Sequence, residues 1–205
     1  MVANDWESAE RSCQKLHEVT GDVIVQERVE GPDNAIYFCL FYRKSSAETA
    51  MFTGRKLAST PPGVGNTAYC TAAIDVRGLE EVTQSILERV DFVGFGSIEY
   101  KWDPASERFV IIEPTVGRIN WQEEIATLSG MNLPLAGYCY ECGLPPPIQT
   151  PPKRPVVWQA SYVERMKVGF PVVPPGVLLP TAIGVEMTCC RRSFTIRRTS
   201  RCQRP

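Results

Sequence analysis

Ser97-Ile98-Glu99-Tyr100-Lys101-Trp102-Asp103-Pro104-Ala105-Ser106-Glu107-Arg108-Phe109-Val110-Ile111-Ile112-Glu113 reads as two strands and the turn between them. Ser97 to Trp102 alternates polar and bulky residues, and Arg108 to Glu113 is rich in β-branched and aromatic ones, the composition of a pleated, half-buried surface. Asp103-Pro104 with the short polar segment after it suits a hairpin loop, so the strands are expected to run antiparallel. With Trp102 opposite Arg108, Glu99 would face Ile111 and Glu113 would lie two residues further along the same face. That register places the carboxylates diagonally, with Cα atoms roughly 7–8 Å apart, within reach of one hard cation. A slip of one residue would separate them onto opposite faces. Two solvated glutamates on an outer sheet face are the alternative reading.

Working outward, 205 residues suffice for a real core, and the composition is that of an ordinary globular protein. The net charge of −1 hides an asymmetry, because from Cys189 onward there are six arginines and no acid. Such an end is expected to be a solvated tail, with a nucleic-acid or anionic-membrane contact as the weaker reading. No apolar run approaches the roughly 20 residues of a membrane helix, and Met1-Val2-Ala3-Asn4-Asp5-Trp6 is not a signal peptide. A cytoplasmic protein with reduced thiols is the expectation for its eight cysteines. Cys139-Tyr140-Glu141-Cys142 with Cys189-Cys190 could form a four-thiolate zinc site, although the second pair lacks the usual spacer. His17 is the only histidine, which argues against a histidine-based triad.

Asp5 to about Val19 has the spacing of a short amphipathic helix, and Thr20-Gly21-Asp22 ends it. Val23 to Glu27 is expected as a strand buried on both faces, Asn34 to Tyr42 as a strong strand, and Met51 to Lys56 as another. Leu57 to Ala68 contains Pro61-Pro62-Gly63-Val64-Gly65 and is expected to be a flexible loop. Leu79 to Val90 carries a helical stripe at Leu79, Val82, Ile86 and Val90, and Asn120 to Ser129 is expected as a further helix closed by Gly130. From Gly143 proline density rises, which reads as an irregular tail. The expected organisation is a linking helix over 1–21, a compact α+β subdomain over 22–142 with an antiparallel sheet packed by helices, and a Pro-rich, Arg-rich tail over 143–205.

Three elements in this order resemble the carboxy-terminal half of the ATP-grasp fold: Gln26-Glu27-Arg28-Val29-Glu30-Gly31-Pro32-Asp33, then Gly54-Arg55-Lys56 before a Pro/Gly loop, then Glu99 and Glu113 on paired strands. The resemblance spans about residues 22 to 140 and is nearest to carboxylate–amine ligases of that superfamily. It implies ATP and magnesium as cofactors, with a small carboxylate substrate activated as an acyl phosphate and joined to an amine. It implies that Gln26, Glu27 and Val29 offer a strand edge to adenine, that Asp33 receives the ribose hydroxyls, and that Arg55 and Lys56 reach phosphate. Glu99, Glu113 and Thr115 would be the metal ligands. Thr115 stands where an asparagine is common in the family, and Asn120 could supply an amide instead. Arg118 matches an arginine that contacts the acyl phosphate or the substrate carboxylate, and Lys101, on the Glu99 face, could reach substrate or pair with a carboxylate. A solvated basic edge is the alternative for Arg55 and Lys56, and a surface lysine the alternative for Lys101. The resemblance also implies a preceding subdomain with a phosphate-binding lysine, of which only about twenty residues would be present here. The expected protein is therefore a ligase fragment; the alternative is a catalytically inactive interaction or regulatory module derived from the same fold.

Overall fold

The computed structural model describes residues 2–73, 76 and 78–160 with their side chains, and the backbone of 178–180 and 186–188. The chain divides into two compact units, Met1–Glu30 and Gly31–Pro205.

The first unit contains one helix, α1 (Trp6–Thr20). Its start is fixed by a capping box: the Asp5 carboxylate accepts from the Ser8 amide at 2.7 Å, which satisfies an otherwise orphaned donor and holds the Asp5 carboxyl below its ordinary pKa. Gly21, at φ 78°, takes the chain out of the helix while its amide bonds the His17 carbonyl. The expected strand Val23 to Glu27 does not form. Apolar β-branched composition favours an extended chain, but a strand also requires a ladder partner, and Val23 to Glu27 has none among the described residues. Gln26, Glu27 and Val29 therefore do not present a strand edge.

In the second unit a short 3-10 turn (Asp33–Ala35) leads into β1 (Ile36–Arg43), followed by β2 (Thr49–Thr60), β3 (Asn66–Ala72), α2 (Leu79–Arg89), β4 (Gly94–Asp103), β5 (Arg108–Val116), α3 (Glu123–Leu128), α4 (Leu133–Glu141) and β6 (Val157–Gln159). The six strands form one antiparallel sheet in the order β5-β4-β1-β2-β3-β6. The backbones of β7 (Leu178–Pro180) and β8 (Glu186–Thr188) pair antiparallel in a separate two-stranded sheet. The α+β architecture with an antiparallel sheet agrees with the sequence reading.

Both sheet faces are covered, which is why β1 is apolar at almost every position. On one face Cys39, Phe41, Ile98 and Tyr100 meet Leu79 and Leu87 of α2. The Tyr100 hydroxyl finds Thr83 Oγ1 at 2.7 Å, and burial pushes both this phenol and the Cys39 thiol up to about 12, so neither ionises near neutrality. On the other face Phe38, Leu40, Phe52 and Cys70 meet Ile125 and Ala126 of α3, Leu133 and Ala136 of α4, and the segment Val156 to Ala160.

Three corrections to the expected boundaries follow from this packing. Leu57 to Ala68 is not a flexible loop: β2 runs on to Thr60, β3 begins at Asn66, and only the tip between them turns. Helix α4, capped by Asn132 with proline in its first turn, has no counterpart in the sequence reading. The third concerns the proline-rich stretch, which returns to the fold as β6 and pairs with β3 at Tyr69, Cys70 and Thr71. Trp158 is buried there and its indole donates to Glu124 Oε2 at 2.7 Å. The Arg-rich end from Cys189 lies outside the described residues.

Gly54 shows how tightly this face is packed. It lies beside Phe38 in the ladder, and a Cβ at position 54 would stand 2.1 Å from Phe38 Cζ. Gly54→Ala is expected to lower stability by about 1–3 kcal/mol in equilibrium denaturation, because the fully buried ring has no free space to enter. Unchanged stability would show that the ring can turn aside.

Candidate functional site

The acidic pair is built by an irregularity of the β4–β5 hairpin. Trp102 pairs with Phe109, not with Arg108 as expected, and Tyr100 pairs with Ile111. A regular ladder from there would put Glu113 opposite Ile98, on the face away from Glu99. A bulge between Glu99 and Tyr100 inserts one extra residue on β5, and Glu113 comes directly opposite Glu99. The two carboxylates are thus facing neighbours and not diagonal ones, an arrangement that costs a few tenths of a kcal/mol or more unless positive charge is supplied.

The same row continues across the sheet from Glu113 and Glu99 to Phe38 and then Gly54. Two residues beyond Gly54, and so on the same face, Lys56 extends over the sheet and places Nζ 3.5 Å from Glu99 Oε2. Both side chains are largely withdrawn from water, Lys56 at 5% and Glu99 at 14% exposure. Gln122, immediately before α3, is fully buried; its Nε2 donates to Glu99 Oε1 at 3.3 Å and to Thr67 Oγ1 at 2.8 Å. Its Oε1 has no hydrogen-bond partner among the described residues, and neither has the buried hydroxyl of Ser97, two positions before Glu99. Thr115 is the ladder partner of Ser97. The Cys70 thiol, opposite Lys56 in the ladder, is pushed far up by burial, with Lys56 opposing the shift and Glu99 adding to it. Glu113 is exposed and has no hydrogen-bond or ion-pair partner among the described residues.

Of the residues expected from the sequence, Lys56, Glu99, Lys101, Glu113 and Thr115 share this face. Arg55 does not: adjacent strand residues point to opposite faces, and its guanidinium lies 5.3 Å over the Tyr37 ring with Nε donating to the Asn34 carbonyl at 2.6 Å. Lys101 donates to the Gly31 carbonyl at 2.9 Å. The Asp33 carboxylate accepts from the Ser59 amide at 2.8 Å and the Gly63 amide at 3.0 Å, so it ties down the β2–β3 tip. Arg118 follows Gly117 and is exposed. Asn120 uses its Oδ1 on the Trp121 amide, and the amide that reaches Glu99 belongs to Gln122. Sequence reasoning missed Gln122, Thr67 and Ser97. No local motif marks them, and the one available signal was an amide just ahead of the Glu123-Glu124 helix start.

As a cation site the face offers oxygens only: two carboxylates, the Thr115 hydroxyl and the orphaned Gln122 Oε1. A hard, oxygen-seeking ion such as magnesium, which keeps several waters and takes one or two carboxylates, fits that donor set. Among the described residues no cluster of three or more His, Cys, Asp or Glu side chains could hold a metal by itself. For the zinc reading, Cys139 is buried and Cys142 exposed at the end of α4, while Cys189 and Cys190 lie outside the described residues. Among the described residues no helix is long and apolar enough to cross a membrane.

No family model matches the sequence, and no curated protein matches it. Among solved structures, pyruvate carboxylase T882A of Rhizobium etli with the allosteric activator acetyl coenzyme A is similar at TM-score 0.51 and 13% identity, over 64% of this chain and 12% of that one. The phosphoribosylaminoimidazole carboxylase ATPase subunit of Aquifex aeolicus is similar at TM-score 0.47 and 17% identity, over 59% of this chain and 38% of that one. The fold is part of the ATP-grasp fold. The chain thus spans well under half the length of either structure.

Proposed function

We propose that the face bearing Lys56, Glu99, Glu113 and Gln122 is one wall of a magnesium–ATP cleft, and that the chain serves the ATP-dependent joining of a carboxylate to an amine through an acyl phosphate. The observation that carries this reading is the bulge that sets Glu99 and Glu113 opposite each other beside a buried lysine and an orphaned amide oxygen. Magnesium, when bound, would neutralise charge on the nucleotide phosphates. Glu99, Glu113, Thr115 and the Gln122 carbonyl would hold it. Gln122 fixes the Glu99 carboxylate through Nε2, so that oxygen is oriented before any ligand arrives. Lys56 and Arg118 supply positive charge for phosphate and substrate carboxylate, Arg118 with a planar fork suited to bidentate contact. Lys101 and Asp33 act by holding backbone, the former at Gly31 and the latter at the β2–β3 tip. The substrates on this reading are ATP, a small carboxylate and an amine, and the cytoplasm is the compartment it implies.

A thermal melt tests the reading, since a ligand that binds the native chain must stabilise it, by about 2.7 kcal/mol at one hundred times Kd. ATP with magnesium is expected to raise Tm, and ATP with EDTA to raise it less. Glu113→Gln, at an exposed position without partners among the described residues, is expected to melt like the parent yet lose the magnesium-dependent part of the shift. An equal shift in parent and variant would remove Glu113 from the site. A second reading, an inactive interaction module, draws on the Lys56–Glu99 ion pair, which already neutralises one carboxylate. Absence of any shift with ATP, with or without magnesium, would select it.

A further inference from the structure

Lys56 holds a position that its surroundings do not fully satisfy. An ammonium has three N–H donors, and among the described residues Lys56 directs one of them to Glu99 Oε2, at 3.5 Å, the outer limit of a hydrogen bond. The side chain is nonetheless 5% exposed, so water does not make up the deficit as it would on an open strand. Its stem is long and flexible, and a buried charge with one distant partner is free to exchange it for a better one. Glu113, across the ladder from Glu99, has no counter-charge among the described residues. The Lys56 ammonium thus lies 3.5 Å from one carboxylate of a facing pair, and the other, Glu113, has no ion-pair partner among the described residues.

Resting on the magnesium–phosphate reading of this face, we propose that Lys56 is an internal counter-ion: in the nucleotide-free chain its ammonium takes the charge position at Glu99 that a divalent cation occupies in the loaded site. Divalent cation and Lys56 compete for Glu99, so the free metal ion binds weakly. Phosphate would remove the conflict, because its oxygens would accept the displaced ammonium and leave Glu99 and Glu113 free to hold the cation. Metal and phosphate then bind as a coupled pair, each raising the affinity for the other by the same factor. A further consequence is that the site would not fill with free divalent ions in the absence of nucleotide.

The test measures manganese alone, without nucleotide, by electron paramagnetic resonance of the free ion. Lys56→Met, which keeps the apolar stem and removes the charge, is expected to bind manganese about tenfold or more tighter than the parent, a ratio readily resolved in Kd. Lys56→Gln serves the same purpose if the methionine variant does not fold, since its amide can still bond Glu99. Adding Glu113→Gln to either variant is expected to abolish the gain, which places the ion at the acidic pair. Manganese affinity that is unchanged or weaker in both lysine variants overturns the proposal, as does a gain that survives Glu113→Gln. Failure of the nucleotide reading has a separate signature, loss of any ATP-dependent shift in the parent chain, and leaves the manganese comparison intact.

Discussion

Glu99→Ala is expected to destabilise the chain by about 3–5 kcal/mol, the range found when one member of a buried ion pair is removed and the other charge stays behind. Lys56 would then sit at 5% exposure without its carboxylate, and the Gln122 amide would lose one of its two acceptors. At that burial water does little to solvate the ammonium. The expected result in urea is a lower midpoint at an unchanged slope, since the change acts on the native state. The double variant Lys56→Met with Glu99→Leu is expected to recover most of the loss, because two apolar side chains of similar size leave no charge to desolvate. If Glu99→Ala costs less than about 1 kcal/mol, the ammonium escapes to solvent and the pair is worth no more than a surface contact.

Phe38→Ala is expected to have an effect of similar size, about 3–5 kcal/mol. The ring has no solvent exposure and lies in the ladder between Glu99 and Gly54, where the absent Cβ of Gly54 makes room for it. Truncation leaves a cavity in the middle of a six-stranded sheet whose neighbours are held by backbone hydrogen bonds and cannot collapse into it. The companion measurement is the cycle with Gly54→Ala. Alone, that methyl group collides with the ring; combined with Phe38→Ala, it enters the vacated space. The two changes should therefore be strongly non-additive, with a coupling of about 1 kcal/mol or more, and simple addition would show that the ring and residue 54 do not share the space.

How much of this was legible depends on which force decides each element. The hairpin, β1, α1 and α2 were visible because local pattern and tertiary demand agree there: alternation in β4, apolar residues on both faces of β1, and a helical period in α2, although the residues α2 buries are Leu79, Thr83 and Leu87 and the expected stripe leaves Val82 and Val90 exposed. The acidic pair was recognised, but for a reason that did not hold. The expected register was one residue off, and a bulge that no residue pattern announces restored the shared face. Val23 to Glu27 failed in the opposite sense, with strand composition but no ladder partner. β6 was invisible because three residues among prolines carry no period, and only the open edge of β3 gives them a place. Gln122 could not be found because its role lies in a contact with a strand 23 residues earlier in the chain.

The pairing of β6 with β3 bears on how the protein can be handled. Read from composition, the proline-rich stretch invites a cut after Cys142. Such a chain would keep every residue of the acidic face and lose the three that cap the far side of the sheet. The backbone groups of Tyr69 and Thr71 would be left open on a strand whose side chains are largely buried, beside the vacated berth of Trp158. An uncapped edge of that kind is a template for the next molecule's strand, and it recruits by backbone hydrogen bonding regardless of sequence. Shortened versions would therefore fail first by coming out of solution, well before their affinity for any ligand could be judged, and the shortest useful piece ends beyond Ala160.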